Sequence, residues 1–288
     1  MKLKKLLITL IIVFSVGFAN AQDNLLNQLD TIKSSKKEIE TSAFKGLQIC
    51  NMQSTKMASK GEWYVLISHR FGDLTQGFDN FFGLDNANTK IGTVYGAANW
   101  LSLGVSRHTF QKTYELAVKY KLANQEINGF PVTIAGYNTI NINSELKKVL
   151  YPNLEFNDRL AFSSQLLISK KFTNKFSLQV APIFIHKNLY DAINESKDKL
   201  IIASGGRMKV SKRMSVNLEY AAQVNAPKGT NFHNVATVGL DIETGGHVFQ
   251  MVFSNSQAMN DVTVFTNATG QWNGGSLYFG FNIYRVFN

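Results

Sequence analysis

The sequence predicts an all-β fold: a transmembrane antiparallel up-and-down β-barrel of about twelve strands, with about fourteen as the alternative. First, short segments in which apolar and polar residues alternate with a period of two fill most of the chain. Second, the connections between these segments alternate between tight and long, as they do in outer-membrane barrels. Third, beyond the N-terminal region no uninterrupted apolar segment has the length of a membrane-spanning helix. Together these features favour strands as the membrane-crossing elements.

The N-terminus has the three parts of a secretory signal peptide. Lys2, Lys4 and Lys5 form a basic start, residues 6–18 are apolar, and Ala19-Asn20-Ala21 is a small-x-small cleavage site. The apolar run is shorter than the roughly 20 residues that a spanning helix needs. We therefore predict a signal peptide at residues 1–21, cleavage after Ala21 and a final location in the cell outer membrane.

Residues 22–43 are predicted to be an N-terminal periplasmic helix and linker. Leu25, Leu26, Leu29 and Ile32 recur at spacings of three and four, which indicates a short amphipathic helix, and residues 33–40 are a charged linker. This region is either a solvated leader or a contact site for another periplasmic molecule. Residues 44–288 are predicted to form the barrel domain.

Thirteen segments of the mature chain have the composition and alternation of strands. They are 46–57, 62–70, 89–97, 101–108, 113–123, 132–142, 160–171, 175–186, 200–210, 214–224, 235–244, 247–255 and 277–287. Residues 46–57 and 62–70 are expected to pair with each other. Because single-chain bacterial barrels have an even number of strands, either 46–57 lies outside the wall, 262–265 belongs to a further strand, or one segment is misassigned.

The hairpin at 235–255 shows the two faces most clearly. Gly245-Gly246 is a preferred two-residue turn and sets the register, so that Thr244 faces His247 and Asp241 faces Gln250. In a membrane barrel one face meets lipid and the other meets the lumen. The lipid-facing set is Leu240, Ile242, Phe249, Met251 and Phe253. An arginine in place of Ile242 or Phe249 is then expected to cost about 2–4 kcal/mol at mid-bilayer, and Gln250→Arg in a wet lumen little.

Lumen-lining residues follow from the same alternation along the other strands. The candidates are Glu115, Lys119, Lys121, Arg207, Lys209, Glu219, Asp241, Glu243 and Gln250. Tight connections at 172–174, 211–213 and 244–247 are expected on the periplasmic side, and long ones at 143–159, 187–199, 225–234 and 256–276 on the outer side.

The segment 77–87 resembles a strand least. It is predicted to be an outer loop or a constriction that folds into the lumen, with Phe78, Phe81, Phe82 and Asp85 as its candidate residues. Its aromatic side chains either contact a ligand or pack against the barrel mouth.

Recognisable enzyme or metal chemistry is missing from the sequence, and we predict no catalytic residue, cofactor or metal ligand. The five histidines are dispersed without metal-binding spacing. Ser106 and His108 share a face about 6.5 Å apart at the backbone, whereas catalysis needs hydrogen-bond reach and a third, orienting group. Cys50 is the sole cysteine, so the chain has no intramolecular disulfide. The net charge of +10, or 10 − 3 = +7 without Lys2, Lys4 and Lys5, is scattered, which argues against nucleic-acid binding.

Four stretches resemble an uncharacterised family of Gram-negative outer-membrane β-barrel proteins, a domain of unknown function. They lie at 68–72, 82–87, 241–250 and 279–287, and the run E-T-G-G-H-V-F-Q is the most specific of them. The resemblance covers nearly the whole mature chain and implies an outer-membrane barrel, but it implies no activity and no catalytic residues. Asn288 departs from general practice, because barrel assembly signals usually end on the aromatic residue, here Phe287.

Two functions follow as hypotheses. The first is a pore or transporter for small polar solutes, and the second is a structural or partner-binding barrel with a blocked lumen. A secreted soluble β protein is a third alternative. The expected partners are outer-membrane lipid and, during biogenesis, the barrel-assembly machinery. A protein partner stays undefined.

Overall fold

The computed structural model describes residues 38–244 and 247–287. The predicted signal peptide, the helix at Leu25–Ile32 and the Gly245-Gly246 turn therefore lie outside the described residues. The chain divides into two units, residues 1–38 and 39–288, and the fold described below belongs to the second unit. In the described part, no helix is long and apolar enough to cross a bilayer.

Twelve antiparallel strands form the closed wall of the second unit, in the order β1-β12-β11-β10-β9-β8-β7-β6-β5-β4-β3-β2. The strands are β1 (Trp63–Asp73), β2 (Ala87–Ala98), β3 (Leu101–His108), β4 (Thr113–Ala123), β5 (Thr133–Asn143), β6 (Leu160–Lys171), β7 (Phe176–Lys187), β8 (Asp198–Lys209), β9 (Met214–Gln223), β10 (Val235–Thr244), β11 (His247–Ser254) and β12 (Tyr278–Phe287). Each pairs with its sequence neighbours, and β1 closes on β12. This confirms the predicted fold class and strand number.

The two faces of each strand differ as the alternation predicted. On β1, Trp63, Val65 and Ile67 are exposed on the outside, whereas the residues between them are buried. On β10 and β11 the pairs Thr244–His247, Asp241–Gln250 and Leu240–Met251 form as predicted. Since the outside is apolar and the inside largely polar, the wall presents its hydrophobic residues outwards, as a barrel in lipid must.

The prediction that 46–57 pairs with β1 is wrong. This segment bends back on itself, with Gln48 bridged to Gln53, and β1 pairs with β2 and β12 instead. The barrel domain predicted for 44–288 therefore contains a stretch that is not part of its wall. Alternation gave a false signal here, because the segment is buried inside the barrel and its polar and apolar residues are buried alike.

The alternative strand at 262–265 is also wrong. Residues Thr263–Thr266 form a short helix, α1, in the connection between β11 and β12. All four of its residues are buried. Nearly the whole stretch 255–268 is buried too, so a connection expected on the outside folds into the barrel.

Candidate functional site: the occluded lumen

The plug hairpin, residues 43–58, enters the lumen from the end where β1 begins and β12 ends. Just before it, Ile39 is bridged to Glu126 and Glu40 N–H donates to the Gln125 carbonyl over 2.8 Å. Lys171 Nζ lies 3.0 Å from the Glu40 carboxylate. The hydrogen bonds from Lys171 and from the Thr41 backbone lower the pKa of Glu40. These contacts fix the chain at the rim before it turns inwards.

The tip of the plug hairpin is bound by one carboxylate of the wall. Glu219 accepts hydrogen bonds from the successive backbone N–H groups of Cys50, Asn51 and Met52, at 2.6, 3.0 and 2.8 Å. Successive N–H groups in a turn form a concavity that binds an anion. Here the anion is a side chain of β9, so the contact holds the hairpin by its backbone.

Further wall side chains also bind the tip, among them Arg70, Asn282 and Gln250. Arg70 donates to Asn51 Oδ1 and to Asn282 Oδ1, both over 3.0 Å. Asn282 Nδ2 donates to the Cys50 carbonyl over 3.0 Å, and Gln250 Nε2 donates to the Ile49 carbonyl over 2.5 Å. Arg70 is 1% exposed, as are Asn282 and Gln250, so these groups face the hairpin and not a water-filled channel.

Glycines of the wall make room for the tip. A Cβ on Gly205 would lie 2.7 Å from Ile49 Cδ1, and a Cβ on Gly239 would overlap Cys50 Sγ. Glycine within a strand commonly marks a close approach of another group. The approaching group is the plug hairpin.

The outer insertion, residues 255–268, fills the other half of the lumen. Asp261 accepts from Tyr137 OH at 3.1 Å, from Gln165 Nε2 at 3.0 Å and from Gln53 Nε2 at 3.0 Å. Burial, and after it the nearby Glu115 carboxylate, raise the pKa of Asp261 to about 6. Because Gln53 belongs to the plug hairpin, the two inserted segments touch each other inside the barrel.

A polar cluster on β2, β3 and β4 lies beside the contact between the two insertions. Ser106 Oγ lies 2.8 Å from His108 Nε2, and Glu115 Oε1 lies 3.2 Å from Ser106 Oγ and 3.5 Å from the same histidine nitrogen. In a Ser-His-Asp triad the acid binds the other ring nitrogen. His108 Nδ1 has no hydrogen-bond partner among the described residues, so the arrangement differs from a triad.

A small internal space remains next to this cluster. It measures about 40 Å³ and is lined in part by Gly92, Gly104, Ala117, Lys90 and Lys119. Its size admits a few water molecules at most. The lumen is thus occluded in this conformation, and the space left lies where the inward side chains of β2, β3 and β4 are smallest.

The predicted lumen residues all lie at inward positions, but they differ in burial and in the groups that they contact. Glu115, Lys119, Glu219, Asp241 and Gln250 are buried against the insertions, and Lys119 Nζ donates to the carbonyls of Leu47 and Ser54 at 3.0 and 2.9 Å. Lys121, Arg207, Lys209 and Glu243 are half-buried. Arg207 and Glu243 form an ion pair of 2.5 Å, which Lys45 extends at 3.6 Å.

The predicted constriction is absent from the described lumen. Phe78, Phe81 and Phe82 are 79%, 56% and 48% exposed, and Asp85 is exposed as well. The segment contains short 3-10 turns at 74–76 and 78–83, in the connection between β1 and β2. That this connection lies on the outer side of the membrane stays a prediction.

Several residues of the site were missing from the prediction. Arg70 and Asn282 occupy inward positions of β1 and β12 and could have been found by alternation, as Glu219 was. Asn51, Gln53 and Asp261 could not, because they lie in segments whose sequence does not show that they fold inwards. In the described part of the chain, no group of three or more His, Cys, Asp or Glu residues could hold a metal ion.

The outer mouth is braced by a second ionic contact. Glu195, in the loop 188–197, accepts from Lys187 at 2.7 Å and from Lys199 at 2.6 Å. Burial alone would raise the pKa of Glu195, but the two ammonium groups outweigh it and lower that pKa. Lys187 also donates to Asn267 of the outer insertion over 3.1 Å, which ties the loop to the insertion.

The chain belongs to the family described as "Membrane bound beta barrel domain (DUF5777)", whose model matches residues 44–287. It is therefore a membrane-bound β-barrel. The match includes the plug hairpin as well as the wall, so both are parts of the family's domain. None of the curated proteins matches the sequence.

Among solved structures, the KdgM porin is similar at 10% identity with a TM-score of 0.49, covering 78% of this chain and 99% of that one. The outer membrane protein Omp33 of Acinetobacter baumannii is similar at 10% identity with a TM-score of 0.43, covering 80% and 100%.

Proposed function

We propose that this protein is a gated pore for small polar solutes in the outer membrane, closed at rest by the plug hairpin. The observation that carries the proposal is the chemistry of the contact between hairpin and wall. Glu219, Arg70, Asn282, Gln250 and Lys119 all bind the hairpin through hydrogen bonds.

Polar contacts of this kind support a reversible closure. A hydrogen bond between neutral groups adds about 0.5–1.5 kcal/mol net and one to a charged group about 1.5–3 kcal/mol, because water replaces the bond when the partners separate. If the hairpin withdraws, both the groups on the wall and those on the hairpin become hydrated. The vacated lumen would then be lined by charged and amide groups, which favours passage of water and small polar solutes.

The residual space beside β2, β3 and β4 supports a path past the outer insertion. Gly92, Gly104 and Ala117 lie at inward positions of the wall there and line the space. Lys90, Lys119 and Glu115 border the space, with Lys90 Nζ 3.3 Å from Glu115 Oε1. Opposite charges side by side favour no single sign of solute.

The connections support the direction of entry. Turns at 99–100, 172–175 and 210–213 share one rim, whereas the connections 144–159, 188–197 and 255–277 share the other. Outer-membrane barrels have their short turns in the periplasm. The plug hairpin would thus enter from the periplasm.

A disulfide between hairpin and wall tests the proposal, because a Cβ on Gly239 would touch Cys50 Sγ. In planar bilayers we expect brief openings from the native protein and none from oxidised Gly239→Cys, with openings restored by dithiothreitol. Gly239→Ser adds similar bulk without a thiol and serves as the matched control. Heat-modifiable migration in gels verifies that each variant is a folded barrel.

Two outcomes would overturn the gated pore. If neither the native protein nor the plug-weakened Glu219→Gln conducts at any voltage, the barrel is closed and serves a structural or partner-binding role. If the oxidised Gly239→Cys protein conducts like the native one, the path does not involve the hairpin.

A further inference from the structure

A cavity of about 640 Å³ lies at the long-loop end of the barrel, between the connections 144–159 and 188–197 and the outer insertion. Its volume falls within the roughly 300–1,000 Å³ of small-molecule sites. A ligand could bind in this cavity without passing through the lumen, so the cavity plays no part in the proposed pore.

The cavity has a fixed framework. Glu195 holds Lys187 and Lys199, which are 8% and 1% exposed, and Lys187 reaches Asn267 of the outer insertion. Buried charge pairs of this geometry keep their loop in one position, because separating them would leave unpaired charges. The outer cavity is therefore preformed, as ligand sites usually are.

Three residues that line the outer cavity have polar atoms that lack a hydrogen-bond partner among the described residues. They are Oδ1 of Asn141, Nδ2 of Asn260 and Oγ1 of Thr263, on residues only 3%, 0% and 5% exposed. Buried polar atoms are nearly always paired, and exceptions often indicate a functional site. One atom is an acceptor, one a donor and one both, so a hydroxyl-bearing ligand complements all three.

The charges around the cavity favour a neutral ligand. Its two cations are already engaged, Lys187 with Glu195 and Arg159 with the Asn143 carbonyl at 3.1 Å. Asp158 and Asp191 also line it and would repel an anion. Tyr151 and Tyr190, 42% and 39% exposed, add aromatic surface with a polar tip, which suits a ring that is apolar on its face and polar at its edge.

We propose that the outer cavity binds a neutral polyhydroxylated compound, namely a sugar or a short neutral oligosaccharide. Asn141, Asn260 and Thr263 would bind its hydroxyl groups, and Tyr151 and Tyr190 would contact its rings. This is a binding site on the outer face, independent of whether the barrel opens.

An array of neutral sugars tests the proposal: glucose, galactose, N-acetylglucosamine and their linked di- and trisaccharides, with the matching uronic-acid oligomers alongside. Detergent-purified full-length protein is applied to the array, and hits are titrated by calorimetry. Asn260→Asp is the sharpest variant, because Asn260 Oδ1 accepts from the N–H groups of Val262 and Thr263 at 3.2 and 2.8 Å. Aspartate keeps that acceptor and removes only the free donor.

We expect at least one neutral sugar to bind, and Asn260→Asp and Thr263→Val to weaken it by about tenfold or more, since a site built for a hydroxyl loses much of its affinity when one partner is removed. Asn86→Ala, in a different outer loop, should bind as the native protein does. The proposal is overturned if no neutral sugar binds, if only the uronic-acid oligomers bind, or if both cavity variants bind unchanged. A protein that binds sugar but never conducts would leave this site standing while refuting the pore.

Discussion

The plug hairpin and the outer insertion fill the same lumen, yet the most prominent polar contact of each is of a different kind. The hairpin tip is held through its backbone, with Glu219 binding three N–H groups. The outer insertion is held through side chains, with the Asp261 carboxylate at its centre and Val262, Val264 and Phe265 buried next to it. The contact with Glu219 depends little on which side chains the hairpin tip carries, whereas Phe44, Ile49 and Met52 of the hairpin are buried in the same apolar cluster as Phe265.

Apolar burial and hydrogen bonding both stabilise the inserted segments, but by different amounts. Apolar burial favours the inserted state by about 25 cal/mol for each Å² removed from water. Hydrogen bonds contribute less net energy, because water competes for both partners. Because one carboxylate binds three successive N–H groups, we expect the hairpin tip to be the part of the filling that a single wall substitution loosens most.

Glu219→Leu should give the largest effect. It leaves three buried N–H donors without an acceptor, each at a cost of about 1–3 kcal/mol. Hydrogen exchange at residues 50–52, measured by mass spectrometry in micelles, should accelerate by at least about a hundredfold. Glu219→Gln, which keeps one acceptor oxygen, should do so to a smaller extent.

The matched control for that experiment is Glu243→Gln at the rim, which contacts Arg207 and not the hairpin tip. Exchange at residues 50–52 should stay at the native rate in this variant. Unchanged exchange in Glu219→Leu would show that the tip is not held by its backbone.

Phe265→Ala should give the next largest effect, on the other segment. Phe265 is 4% exposed and belongs to a buried cluster that contains residues of β7 and β8 and also Phe44, Ile49 and Met52 of the plug hairpin. Truncating a buried phenylalanine costs about 3–5 kcal/mol. Exchange should accelerate most across 255–268 and less at residues 50–52, whose N–H groups keep their acceptor in Glu219. Phe253→Ala, on the lipid-facing side of β11, should leave both segments unchanged.

Acidity should give the smallest effect, and only on the outer insertion. The pKa of Asp261 is raised from its ordinary 3.8 to about 6 by burial and the neighbouring Glu115, so the inserted state binds a proton more tightly than the released state. Lowering the pH from 7 through 6 towards 4 should therefore stabilise the insertion, and raising it should have the reverse effect.

The measurement is exchange at 255–268 corrected for its intrinsic pH dependence. Asp261→Asn has no carboxyl group to titrate and should lose the response. A response that persists in this variant would assign the titration to another group.

One prediction from the sequence changes once the lumen is seen to be filled. Gln250→Arg was expected to be nearly neutral in a wet lumen, but Gln250 is 1% exposed and binds Ile49, Asp241 and Asn282. An arginine there would have to displace the hairpin. Gln250 faces inwards as predicted, but the prediction that it lies in a water-filled lumen is wrong.

The sequence by itself determined the wall. Strand alternation is a local property, because successive side chains point to opposite faces of the strand. One face contacts lipid and the other faces the barrel interior. Leu240 and Asp241, or Leu116 and Glu115, could therefore be assigned to opposite faces without a structure. The tight and long connections could be assigned to opposite rims in the same way.

Only the tertiary structure decided what fills the barrel. Residues 46–57 alternate like a wall strand, and 255–268 resembles an ordinary long loop. No local feature of the sequence distinguishes a segment that fills the lumen from one that forms the wall or an external loop. Their positions depend on contacts between residues far apart in the chain, such as Cys50 with Glu219 and Gln53 with Asp261. A barrel of twelve strands leaves space inside, and which segment occupies it is decided by those distant partners.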